Sequence, residues 1–314
     1  MLTEIAVEIV QALMLIVAAP LLAGIVSKTK ARMQGRSGAS ILQPYRDLRR
    51  LMSKDSVYSR SGSWFMRVIP FLCLASMVVL ACLTPFILTG TVLGDYGDLI
   101  MVVYMFSMFR FCMVLGGLEG GSVFGGMGSS REMMMSVLIE PSLLLSISTL
   151  AVLTDAGTSM SGISYAISSS GLAMVGPALI LASISFMVTM LAENARVPFD
   201  NPATHLELTM VHEAMVLEYS GRGLAMMELG SMIRLMVFSA MLSSMFLPWG
   251  ISHDTEPLSL LVSVVVTVAK ILAISIGLAA VESAMTKSRL FKTPNLLTIS
   301  FALSLLALIT LYIL

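Results

Sequence analysis

Charge is what this sequence has least of. Asp, Glu, Lys and Arg together make up 12% of its 314 residues, whereas a soluble domain averages about 25%. Nineteen acids balance nineteen bases, so there is no net positive field of the kind that attracts nucleic acid. Cysteine is scarce as well. Cys73, Cys82 and Cys112 all lie in apolar stretches and no CxxC pair occurs, so disulfides, zinc and iron–sulfur clusters have no ligand framework. Any electron carrier working with this chain is expected in a partner. The first apolar run begins with Glu4 and Glu8, where a signal peptide would show Lys or Arg. No small-residue cleavage site follows, so this run is expected to be a retained span.

Apolar sequence is plentiful: 57% of residues are hydrophobic and the mean hydropathy is +0.91. Eight segments, near 5–26, 66–88, 99–118, 133–153, 171–192, 223–249, 258–281 and 296–314, are long enough to cross roughly 30 Å of hydrocarbon. The expected fold is an all-α polytopic membrane bundle of about eight transmembrane helices. It forms a single integral membrane domain over 1–314, with amphipathic helices in its cytoplasmic loops. Fifteen Lys and Arg residues fall in the odd-numbered connections (27–65, 119–132, 193–222, 282–295) and none in the even-numbered ones. The positive-inside rule then puts the odd loops in the cytoplasm and both termini outside, across the inner (cytoplasmic) membrane.

Two cytoplasmic connections carry pattern of their own. In the first, Ile41, Tyr45, Leu48 and Met52 make one apolar stripe of a helix with Arg46, Asp47, Arg49 and Arg50 elsewhere on it. That suits an interfacial helix, or equally a basic face against anionic lipid. In the fifth, Pro198 and Pro202 break the chain, and a helix of about four turns is expected from Ala203 to Glu218. Its stripe is Leu206, Met210, Ala214 and Leu217. The glycine-rich stretch 116–128 lacks the Lys-Ser/Thr ending of a phosphate loop. It reads as a flexible turn, or as backbone that comes close to a partner. His205 and His212 stand seven residues apart, about 10 Å along a helix, too far to share one metal ion, so no metal site is expected.

The spans nevertheless hold ionisable groups: Arg110, Glu140, Glu228, Arg234 and Lys270, with Glu8, Glu193 and Glu282 near span ends. A charge at the bilayer centre costs at least about 2.5–3.5 kcal/mol, so such residues face protein or water. Two readings follow. The groups are buried ion pairs that hold the bundle together, or they line a hydrated axis that carries protons. Glu140 is the stronger candidate for the axis, being deep in its span and just before Pro141, which frees a backbone carbonyl nearby.

At "ENARVPFDNPATHLEL" followed by "EAMVLEYSGRG" (193–208 and 213–223) the sequence resembles the signature loop of the membrane subunit that joins the two arms of respiratory complex I. "GRSGASILQPYRDLRRLM" is similar to that family's first cytoplasmic loop, with Arg36-Ser-Gly-Ala where Arg-x-Gly-Pro is more usual. "GLEGGSVFGGMGSSRE", "LIEPSLLL" and "DNPATHLELTMVHEAMVLEYSG" resemble more closely the energy-converting membrane-bound [NiFe] hydrogenase and formate hydrogenlyase branch. The resemblance spans nearly the whole chain. It implies a membrane-anchor and energy-coupling subunit that docks a peripheral redox arm and links electron transfer to proton or sodium movement. Proton-path and coupling roles then fall on Glu140, Glu193, Glu228, Asp200, Glu207, Glu213 and Glu218, beside the intramembrane bases Arg110, Arg234 and Lys270. Arg36, Arg46, Arg196, Glu218 and Tyr219 fall at the interface with the peripheral arm. The [NiFe] centre and iron–sulfur clusters would sit in hydrogenase-like large and small subunits and iron–sulfur subunits. Antiporter-like membrane subunits would complete the assembly. An alternative is the quinone-site subunit of a complex I-like oxidoreductase. A stand-alone secondary transporter is the further alternative, against which no internal repeat is evident.

Overall fold

The computed structural model describes residues 2–59, 62–89, 97–171, 175–200, 211–247, 249–252, 257–286 and 293–313. Its regular elements are helices: α1 (Leu2–Met33), α2 (Gln43–Met52), α3 (Phe65–Leu83), α4 (Leu99–Glu119), α5 (Val123–Thr154), α6 (Met160–Ser170), α7 (Pro177–Glu193), α8 (His212–Val216), α9 (Gly221–Met241), α10 (Pro257–Ala284) and α11 (Thr293–Ile313). A π-helical turn, Leu242–Phe246, prolongs α9. Seven of these helices are long and apolar enough to cross a membrane. The eighth expected span is α7, apolar but 17 residues long, about 26 Å at the α-helical rise. The chain is a multi-pass membrane protein.

Helix α9 is the axis of the bundle, most deeply buried of the long helices. It packs on α1, α2 and α3, while α4, α5, α7 and α11 form the other flank and α10 leans on α1. Aromatic rings knit the two flanks: Phe106 stacks on Phe238 with centroids 4.2 Å apart, and Phe186 lies 4.9 Å from Phe246. Between membrane helices, close approach and hydroxyl bonds do much of the holding. Ser185 of α7 donates to the Ser300 carbonyl of α11 at 2.8 Å, and Ser300 donates back to the Ser185 carbonyl at 3.1 Å.

The odd-numbered connections gather at one end. Ser220 Oγ accepts from the Val57 amide at 2.8 Å and donates to the Val57 carbonyl at 3.0 Å, tying the first loop to the start of α9. Gly221 makes the turn at φ +54, where an added Cβ would stand 2.5 Å from the Asp55 carbonyl oxygen. The first loop also meets the third, where Glu119 accepts from the Ser63 amide at 2.7 Å. It meets the seventh-loop end of α10 through Lys30 and Glu282, 2.9 Å apart. Even-numbered connections gather at the opposite end, where Gln11 of α1 bonds the backbone at Thr84, Ile87 and Leu88 and the 88 and 252 segments form a bridge.

Three local expectations change. The third loop is only 120–122, because the glycine-rich stretch continues α4 and starts α5. Its glycines serve contact within the chain: a Cβ at Gly125 would lie 2.3 Å from the Gly117 carbonyl oxygen, and one at Gly128 2.7 Å from that of Val211. Of the expected helix 203–218, the described residues hold the stretch His212–Val216, and 203–210 lie outside them. Leu206 and Met210 lie outside the described residues, Ala214 is buried, and Leu217 is exposed instead of packed. The even connection 154–170 contains the extra helix α6, capped by Ser159, whose Oγ accepts from the Gly162 amide. The first-loop helix is present as α2, with Tyr45 and Leu48 half-buried and Arg46, Arg49 and Arg50 exposed.

Candidate functional site

The buried charges meet in one cluster where α4, α5, α7 and α9 converge. Arg110, midway along α4 and 2% exposed, touches three carboxylates. Nη1 lies 3.1 Å from Glu140 Oε1, Nε lies 3.5 Å from Glu132 Oε1, and Nη2 bonds Glu193 Oε2 directly. Arg234 of α9 faces the other oxygen of Glu193 across 3.9 Å and bonds His212 at 3.0 Å. Its guanidinium also lies over the Phe109 ring, 4.7 Å from the centroid. Two guanidiniums and three carboxylates thus share one interior, which is how a low-dielectric region tolerates ions: each charge has an opposite within reach.

Local sequence explains the convergence. Glu132 and Glu140 are eight residues apart on α5, on one broad helical face. Glu193 ends α7 where the chain turns at Ala195 (φ 49) and the Val197–Pro198 peptide is cis. Asp200 then pins the start of α8, its Oδ2 accepting from the amides of Val211 at 3.1 Å and His212 at 3.2 Å.

Beside the cluster, at the odd-loop end, is a cavity of 570 Å³ between α1, α4, α8 and α9. Asp200, Glu213, Glu228, Arg196, His212 and Arg234 contribute its polar wall, and Met113, Met227, Met232 and Leu235 part of the apolar one. His212 is common to both regions. Burial holds its imidazole well below its ordinary pKa, and the neighbouring positive charges of Arg234 and Arg110 press the same way.

The structure thus joins Glu140, Glu193, Arg110 and Arg234 directly, and sets Asp200, Glu213 and Glu228 on the adjoining cavity. Glu218 packs against Gly120 instead, and Glu207 lies outside the described residues. Lys270 belongs to neither group. It sits at the opposite end of α9 and donates to the carbonyls of Ser243 at 3.2 Å and Leu247 at 3.0 Å, and to that of Trp249. Arg36 and Arg46 are exposed at the odd-loop end. Arg196 reaches inward to Glu282 Oε1 at 3.0 Å. Tyr219 corrects the expectation of a surface contact: it is 3% exposed, packed over Gly116, and burial raises the pKa of its hydroxyl. Packing of the signature turn took it into the core.

Sequence reasoning missed Glu132 and His212. The eight-residue spacing to Glu140 was a usable signal for Glu132, masked by reading 119–132 as a loop. In sequence, His212 suggests no more than a metal ligand. Among the described residues no group of three His, Cys, Asp or Glu side chains could hold a metal ion.

Comparisons with known proteins agree with this architecture. Formate hydrogenlyase subunit 4 of Escherichia coli is 33% identical over 303 residues, covering 96% of this chain and 97% of that one. Hydrogenase-4 component C of the same organism is 33% identical over 297 residues, covering 95% and 92%. A subunit of the NADH-quinone oxidoreductase of Paraburkholderia phymatum is 27% identical over 242 residues, covering 74% and 67%. In fold, the chain is similar to one from the membrane-bound sulfane sulfur reductase, an archaeal respiratory membrane complex. The TM-score is 0.78 at 21% identity, covering 96% and 99%. The NADH dehydrogenase family matches residues 5–313. With the match running almost end to end, the chain belongs to the NADH dehydrogenase family.

Proposed function

We propose that this chain is the membrane-anchor and energy-coupling subunit of an ion-translocating hydrogenase-type complex of the formate hydrogenlyase kind. The observation that carries this reading is the succession of ionisable side chains, each within 4 Å of the next. It leads from the odd-loop cavity through His212, Arg234, Glu193 and Arg110 to Glu132 and Glu140. A structural ion pair needs two charges; here the cluster continues into a cavity lined by three further carboxylates. The 33% identity to two hydrogenase-type subunits over nearly their full length supports the choice of complex.

On this reading the basic odd-loop end faces the cytoplasm, and the exposed Arg36 and Arg46 receive the peripheral arm. Hydrogenase-like large and small subunits there hold the [NiFe] centre, with clusters in iron–sulfur subunits. This chain's part is to take up a proton released or drawn at the cavity and to pass its charge along the cluster. Glu140, the most exposed member of the cluster, hands it toward antiporter-like membrane subunits. Sodium is the other cargo, separated from protons by the ion dependence of gradient formation. The methionines and Leu235 on the cavity wall favour a second reading, in which a quinone enters and the complex is a quinone oxidoreductase.

Purification of the chain from its native membranes in mild detergent, with mass spectrometry and metal analysis, tests this. Nickel, iron and a hydrogenase-like large subunit are expected. Iron without nickel, with bound quinone, selects the second reading, and a chain that purifies alone overturns both.

A further inference from the structure

The hydrogen bonding around Arg234 is unfinished on the side that faces Glu193, and the Nδ1 of its partner His212 is also buried without a hydrogen-bond partner. Arg234 Nη2 lies 3.0 Å from His212 Nε2. A guanidinium only donates, so Nε2 offers its lone pair and the neutral ring carries its proton on Nδ1. On the other side, Arg234 Nη1 stands 3.9 Å from Glu193 Oε1, too far for a hydrogen bond. Arg234 Nε and Nη1 and Glu193 Oε1 are all buried without a hydrogen-bond partner. A donor, Arg234 Nη1, and an acceptor of opposite charge, Glu193 Oε1, therefore face one another across a gap that a shift of about 1 Å would close.

We propose that His212 takes up a proton from the cavity and thereby moves Arg234 from His212 to Glu193, making His212 a positioning residue of the coupling path. This rests on the proton-coupling reading above. The proton leaves a cavity water or carboxylic acid and is held at Nε2, because Nδ1 already carries one. Nε2 then becomes a donor, its bond from Arg234 is lost, and imidazolium and guanidinium repel. Facing Arg234 Nη1 is the unfilled acceptor Glu193 Oε1. Glu193 is then shared fully between two guanidiniums, and its hold on Arg110 weakens in favour of Glu132 and Glu140. Loss of the proton reverses each step.

The charged neighbours of His212 set the threshold. Arg234 from α9 and Arg110 from α4 oppose its protonation, and Arg196 on the shared cavity wall adds positive charge of the same sense. Glu132 from α5, Glu193 at the end of α7, Asp200 bonded to its amide, and Glu213 and Glu228 on the cavity favour it. While Arg234 is bonded, the ring resists a second proton, so protonation and the departure of Arg234 happen together. That makes His212 a coupling element instead of a passive buffer.

The variant His212→Gln separates these roles, since its Oε1 still accepts from Arg234 but takes no proton. In inverted membrane vesicles bearing the complex, we expect it to assemble and to evolve hydrogen from reduced methyl viologen within twofold of wild type. Its gradient, read by quenching of an acridine dye, should fall at least fivefold between pH 6 and 8. A gradient equal to wild type overturns the proposal and leaves the coupling reading standing. Absence of a gradient in wild-type vesicles overturns both. Should the variant not assemble, the 15N spectrum of His-labelled native complex decides: an Nδ1–H tautomer at pH 7.5 is required, and a full set of Nε2–H histidines overturns the proposal.

Discussion

Arg110 Nη1 stands 3.1 Å from Glu140 Oε1, and the two partners differ sharply in exposure: the arginine side chain is 3% exposed and the carboxylate side chain 42%. Glu140 is thus the point where the buried cluster reaches the lateral surface of the bundle. Glu140→Gln keeps an oxygen for Arg110 but removes the titrating group. Assembly and hydrogen evolution should stay within about twofold, while gradient formation in vesicles drops at least tenfold, since a positioned proton-transfer group typically contributes about 10²–10⁴-fold.

Removing Arg110 itself should act on folding. Arg110→Leu leaves Glu132, Glu140 and Glu193 facing one another without their shared cation, and breaking a buried pair costs about 3–5 kcal/mol. The chain should fail to accumulate in membranes on immunoblots. Arg110→Lys keeps the charge but loses the planar fork, so partial accumulation is expected.

Glu282 holds Arg196 at 3.0 Å and Lys30 at 2.9 Å, fastening the signature loop to α1 and α10. Glu282→Gln weakens both contacts: the ion pair with Lys30 is lost, and the charged hydrogen bond from Arg196 contributes about 1.5–3 kcal/mol before allowance for that partner's partial exposure. Trypsin should then cut after Arg196 several-fold faster, with fragment analysis as the measure.

Gly221 sits at φ +54 against the first-loop backbone. Gly221→Ala introduces left-handed strain of about 1–2 kcal/mol and a clash with Asp55. A lower melting temperature of the purified complex is expected, while Gly126→Ala, with open space at its Cβ, should leave it unchanged.

The depressed pKa of His212 has a stability consequence of definite sign. The folded ring binds its second proton less readily than the unfolded one, so its contribution is complete above about pH 6.5 and is lost progressively below it. Melting temperatures measured from pH 8 to 5 should fall on the acid side. His212→Gln should flatten part of that fall.

The spans were legible because hydrocarbon thickness is a one-dimensional requirement on apolar run length, and the sorting of loops to two ends because Lys and Arg segregate along the chain. α2 was legible for the same kind of reason, its stripe being a local period. Tyr219 and the 119–132 segment were not. Whether a glycine marks a turn or a close contact depends on what packs against it, here Gly117 on Gly125 and Val211 on Gly128.

The sequence by itself determined that this is a polytopic membrane bundle, which residues carry charge at membrane depth, and which loop bears the family signature. Only the tertiary structure decided how those charges pair. Arg110 and Glu193 are separated by 83 residues, and Arg234 by 22 from His212. No period or propensity links such positions; crossing helices do, because an ion inside the bundle is tolerable only where another helix brings its opposite.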